Sequence, residues 1–132
     1  MEGSIKEIVE ELGVQIQYSE FLDDAGHYIP EYNIVVINSN LSDYDMTKAV
    51  LHELGHAAHH QGNQRLYKAT YVMHAKMENE AEEFMIRHLV KQYMNLNYAD
   101  PSAINYMHFI ESNEIDISKE NIVKESFLQF GH

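Results

Sequence analysis

The chain has no cysteine and no tryptophan, only two prolines, and 9 Lys+Arg against 21 Asp+Glu in 132 residues. Without cysteine there is no disulfide, no thiolate metal site and no thiol nucleophile, so any metal must be held by nitrogen and oxygen. The shortage of cations leaves a formal net charge of -12, and the few that exist are scattered. Direct binding to a phosphate backbone is therefore disfavoured. No stretch approaches the roughly 18 apolar residues of a membrane span, and the first residues lack a signal-peptide core. The expectation is a soluble, cytoplasmic protein that touches neither nucleic acid nor membrane. The length leaves room for one domain, expected to be 1–132, and 45% hydrophobic residues can fill a modest core.

Histidine, by contrast, is plentiful: nine residues, of which His52, His56, His59 and His60 fall within nine positions. Local patterning places them. Ser4 with Glu7 forms a capping box for a short helix with the apolar stripe Ile5, Ile8, Val9 and Leu12, stopped at Gly13. Val14 to Tyr18 alternates with period two, Asp23-Asp24-Ala25-Gly26 is turn chemistry, and His27–Ile29 and Tyr32–Ile37 read as further extended segments. A small antiparallel sheet of about three strands is expected. Ser42, with Asp45 at N3, caps a helix that carries the histidines and stops at Gln61-Gly62-Asn63. Leu66–Met77 is ambiguous, and a helix is expected over about 76–94. Asp100-Pro101 reads as the start of a helix to about Ile110, and Ser118 as the cap of a last amphipathic stretch. The fold class is thus α+β: a short sheet packed against a histidine-bearing helix and further helices.

His52-Glu53-Leu54-Gly55-His56 is H-E-x-x-H. Residues four apart share a helix face, so both imidazoles can reach one zinc ion while Glu53, about 100° round the helix, stands beside it as general base for a water. Composition alone supplies such a motif about 0.07 times in a chain like this, so context must decide. A hydrolytic zinc site needs a third protein ligand. His59, about 10 Å further along the helix axis from His52, closes a mononuclear site poorly. The metzincin spacing needs histidine at position 62, where this chain has glycine.

The later helix offers Glu78-Asn79-Glu80-Ala81-Glu82-Glu83-Phe84. Glu78 and Glu82 share a face, so one carboxylate can bind zinc while the other accepts a ring N–H from a ligating histidine, if this helix runs antiparallel to the first. Glu80 is the other alternative in this cluster. His74, Tyr67 and Tyr71 are candidates for stabilising an oxyanion, although no spacing rule selects among them.

From about Val14 to Leu89 the chain resembles the ImmA/IrrE metallopeptidases, through the strands, the H-E-L-G-H helix and the E-x-E-A-x-x-F helix. The resemblance implies a small zincin fold common in phages and mobile elements, with His52, His56 and Glu78 as zinc ligands and Glu53 as the catalytic base. It further implies a protein or peptide substrate such as a helix-turn-helix repressor supplied by a separate chain. This sequence departs from the family where Glu82 replaces the usual Asn or Asp, and where Phe84-Met85-Ile86-Arg87-His88-Leu89 lacks the usual run of small residues and leucines before Met-Pro. Two other function classes remain: a zincin-fold interaction protein that regulates a repressor by binding alone, and an acidic DNA mimic, which rests only on the net charge.

Overall fold

The structure, a computed structural model, describes residues 3–97 and 104–130. The chain forms two compact units, Met1–Met77 and Glu78–His132.

The first unit opens with α1 (Gly3–Leu12) and three strands, β1 (Gln15–Ser19), β2 (Gly26–Ile29) and β3 (Ile34–Asn38). The helix α2 (Asp43–His60) and the first part of α3 (Gln64–Asn97) complete it. Ser4, read as a cap, lies inside the first turn of α1. The helix ends as expected: Gly13 has φ +67°, its N–H bonds to the Glu10 carbonyl and that of Val14 to the Val9 carbonyl, a complete Schellman pair.

The sheet corrects the antiparallel expectation. β2 and β3 pair antiparallel through a tight hairpin, but β1 pairs parallel to β3, giving the order β1-β3-β2. β3 takes the central place because its inward residues, Val35 and Ile37, are wholly buried. An outer position would leave that apolar face half covered. The Tyr32–Ile37 region therefore cannot be a sheet edge; β1 and β2 are the edges. The loop from β1 to β2 is tied back across the sheet: the Asn38 side-chain amide donates to the carbonyls of Leu22 and Asp24, and that of Asn40 donates to Glu20.

Asn33, in the β2–β3 turn, adopts φ +52°. Its amide donates to the Leu12 carbonyl at 3.0 Å, and its oxygen accepts from the Tyr28 hydroxyl at 2.7 Å and from Gln61 at 3.2 Å. One side chain thus joins the end of α1, the hairpin and the end of α2. Asn33→Ala should cost the first unit about 1–2 kcal/mol, from left-handed strain plus the lost, partly buried bonds, measured as a lower denaturant midpoint. A change under about 0.5 kcal/mol would show that the network carries no stability.

Helix α2 is capped by the Ser42 hydroxyl, which accepts from the Asp45 N–H at 3.1 Å. It ends in a second Schellman pair, with Gly62 at φ +71°. Asn63 closes this pair through its N–H and then caps α3 through its side-chain oxygen, which accepts from Leu66. The ambiguous Leu66–Met77 stretch is therefore helix, packed on the first core by Leu66, Ala69, Met73 and Met77. A bond from the Tyr44 hydroxyl, at the start of α2, to the Met77 carbonyl shows this part of α3 running antiparallel to α2.

The second unit packs Ile86, Val90 and Met94 of α3 with Phe109 and Ile110 of α4 (Tyr106–Ser112) and Val123 and Phe127 of α5 (Glu120–Phe130). Tyr93, Phe109 and Phe127 meet edge to face, with centroids 5.0 to 5.9 Å apart. The Asp100-Pro101 start lies outside the described residues, and Asn105 caps α4 by accepting from the His108 N–H. Asp116, not Ser118, caps the 3₁₀ turn leading into α5. The N–H of Ser118, and then its hydroxyl, hold the Asp116 carboxyl below the usual range. No helix among the described residues is long and apolar enough to cross a membrane.

Candidate metal centre

The buried side of α2 is made by Ala49, Val50, Leu51, Leu54, Ala57 and Ala58, which fixes the helix's rotation on the sheet and core. That rotation leaves His52 and His56 exposed and places Glu53 between sheet and helix, 7% exposed. Two glycines allow the neighbouring elements to come this close. A Cβ on Gly26, the first residue of β2, would stand 3.2 Å from Glu53 Cγ and 3.0 Å from Ile37 Cδ1. A Cβ on Gly55, inside the H-E-x-x-H segment, would stand 3.2 Å from Thr70 Oγ1 on α3. Gly26 reads in the sequence as a turn residue. Glycine at a strand end also signals a close approach, and here that approach packs β2 against the Glu53 stem.

His52, Glu53 and His56 form the one group of metal-ligating side chains found among the described residues, each offering a ligand atom within 4.8 Å of the others. The two Nε2 atoms lie 3.2 Å apart, with the rings nearly perpendicular. Two nitrogens on a tetrahedral zinc, each about 2.0–2.1 Å from the metal, are separated by about 3.3–3.4 Å. The donor pair therefore fits a shared ion, and the nitrogen and carboxylate chemistry is that of zinc sites.

Two cavities flank this group. The first, about 490 Å³, is lined by residues that include Asp24, Gly26, Asp45, Lys48, Glu53 and His74. The second, about 450 Å³, runs along α2 and the first part of α3 past His56, His59, Tyr67 and Tyr71. His52 and His74 line both. Asp24, Asp45 and Lys48 were invisible as site residues in the sequence because ordinary turn and helix-surface chemistry accounts for them.

The other expected residues fall as follows. His59 lines the second cavity, whereas His60 packs its ring on Tyr28. Glu78 is an exposed residue of α3 and the first of the second unit. Glu80 is exposed on the same helix, and the Glu82 carboxylate lies 3.8 Å from the Lys119 ammonium.

No curated protein and no solved structure matches the chain. A family model does: Peptidase_M78, described as the IrrE N-terminal-like domain, matches residues 9–121 and so includes the sheet, both histidines and the glutamate cluster of α3. With its paired imidazoles and buried carboxylate, the chain belongs to the family of IrrE N-terminal-like peptidase domains.

Proposed function

We propose that this protein is a zinc-dependent endopeptidase in which His52, His56 and Glu78 hold the metal and Glu53 is the catalytic base. The observation that carries the reading is the 3.2 Å separation of the two Nε2 atoms beside a largely buried carboxylate. When bound, zinc supplies a Lewis acid for the peptide carbonyl and lowers the pKa of a water toward about 7. Glu53 takes the proton from the attacking water and can deliver it to the departing amine. Gly26 keeps β2 close over Glu53, limiting the rotamers open to its carboxylate. The outer edge of β2 offers unpaired backbone groups to an extended peptide.

Glu78 as the third ligand is supported by the family match, which runs through it, and by its place one helical turn before Glu82, which can then accept a ring N–H from a ligating imidazole. Zinc titration of Glu78→Gln, Glu82→Gln and Glu80→Gln tests this. The first should weaken affinity most, the second by roughly 10- to 100-fold if it orients a ligating imidazole, and the third little. Loss of metal in Glu80→Gln would overturn the register.

The substrate is proposed to be a separate helix-turn-helix repressor of basic charge, met in the cytoplasm. The net charge of -12 supports attraction to such a partner and opposes direct contact with DNA. The whole chain is proposed to work as one peptidase domain, because the family match runs through residues of both units. Incubating the zinc-loaded protein with a candidate repressor, and separately with Glu53→Gln, tests hydrolysis. A repressor released from its operator as fully by Glu53→Gln as by the unmodified chain would favour regulation by binding alone.

A further inference from the structure

We propose that the cavity between α2 and the first part of α3 receives a bulky apolar or aromatic side chain of the substrate, at a residue flanking the bond to be cut. This rests on the peptidase reading above and specifies what that site accepts.

The first observation is the chemistry of the lining. Among the described residues, no Asp, Glu, Lys or Arg borders this cavity, which is lined by Leu51, Gly55, Thr70, two tyrosines and four histidines, whereas Asp24, Asp45, Lys48 and Glu53 border its neighbour. A lysine or arginine side chain placed here would lose water without gaining a carboxylate partner. The floor is formed by Leu51 and Thr70, both almost completely buried. The Thr70 hydroxyl donates to the Tyr67 carbonyl at 2.8 Å, so its proton is committed inside the helix and the floor offers no free donor. Gly55 keeps the floor low, since any Cβ there would press on Thr70 Oγ1.

The walls are aromatic and still wet. Tyr67 is 41% exposed and Tyr71 is 71% exposed. His59 braces Tyr67, its ring centroid 5.5 Å away and tilted by 50°. An aromatic guest would bury these faces and find the offset or edge-on partners that ring quadrupoles prefer. The volume of about 450 Å³ falls within the range of about 300–1,000 Å³ typical of specific small-molecule pockets.

The position links the pocket to the chemistry. Because His52 and His74 line both cavities, a peptide with adjacent side chains in each carries the intervening bond past His52, one of the paired imidazoles.

The test has two arms. In the first, N-acetyl-phenylalaninamide, N-acetyl-alaninamide and N-acetyl-lysinamide are titrated into the isotope-labelled full chain and followed by NMR. The phenylalanine probe should bind about tenfold more tightly than the alanine probe, with shifts at Gly55 and Thr70. Tyr71→Ala should weaken that binding several-fold, and Tyr71→Phe should preserve it. Tyr71 is exposed and outside the core, so the variants should keep the fold, and amide dispersion checks it. Equal affinity for the three probes, or shifts confined to Asp24, Gly26 and Asp45, would overturn the proposal. In the second arm, peptides varied on both sides of the cleaved bond are incubated with the zinc-loaded chain. Cleavage with no apolar preference on either side overturns the pocket and leaves the peptidase reading intact. Selective phenylalanine binding at Gly55 and Thr70 with no peptide cleaved keeps the apolar pocket but overturns its assignment to a scissile bond together with the peptidase reading.

Discussion

Glu53→Gln should reduce peptide hydrolysis by about 10²–10⁴-fold, the usual worth of a positioned general base, while leaving fold and metal content unchanged. Glutamine has nearly the same shape, so the contact that Gly26 permits beside the Glu53 side chain survives the change. What it loses is the capacity to accept the water's proton at neutral pH. Because the side chain is only 7% exposed and packs against Gly26, bulky buffer bases should replace it inefficiently. Turnover measured beside zinc content and a thermal melt separates the effects: lost turnover at full zinc and unchanged melting is the expected result. Hydrolysis within a factor of two of the unmodified chain would refute the assignment of Glu53 as base.

His52→Ala and His56→Ala should each take the protein from about one zinc per chain to about none, because a three-ligand site reduced to two protein donors no longer holds the ion. The two Nε2 atoms are 3.2 Å apart through the four-residue spacing of α2, and neither ring is part of the core. Alanine is a good helix former, so α2 should persist in both variants. Metal analysis after dialysis against limiting chelator reads the result, with circular dichroism confirming the helix. Full zinc occupancy in either variant would place the metal elsewhere and remove the basis of the proposed chemistry. His60→Ala serves as control, since its ring packs on Tyr28 and its loss should leave zinc bound.

Much of the local structure was legible in the residues. The Gly13 and Gly62 stops, the Ser42 cap and the H-E-x-x-H helix all depend on bonds within a few positions of one another, and all appear as expected. The first part of α3 was not legible, for an identifiable reason. Its inward positions include Thr70 and the methionines 73 and 77, a weak apolar signal, while Tyr71 and Val72 point to water. The last helical stretch opens with a 3₁₀ turn capped by Asp116 rather than Ser118; both have capping chemistry, and only the backbone path shows that Asp116 accepts from Ser118.

The sequence by itself determined the chemistry available: nitrogen and oxygen donors only, two imidazoles one turn apart, and a carboxylate beside them. These follow from side-chain identity and from the 3.6-residue period, which act over short distances. Only the tertiary structure decided that β3 lies between its neighbours with β1 parallel to it, because strand order is set by which strand gains most from covering both edges and its inward face. It alone decided that Gly26 and Gly55 are contact points for Glu53 and Thr70, and that a cavity of aromatic and apolar lining and one bordered by carboxylates and a lysine meet at His52 and His74. Those juxtapositions join residues tens of positions apart, and they arise from close packing between elements, which no local spacing encodes.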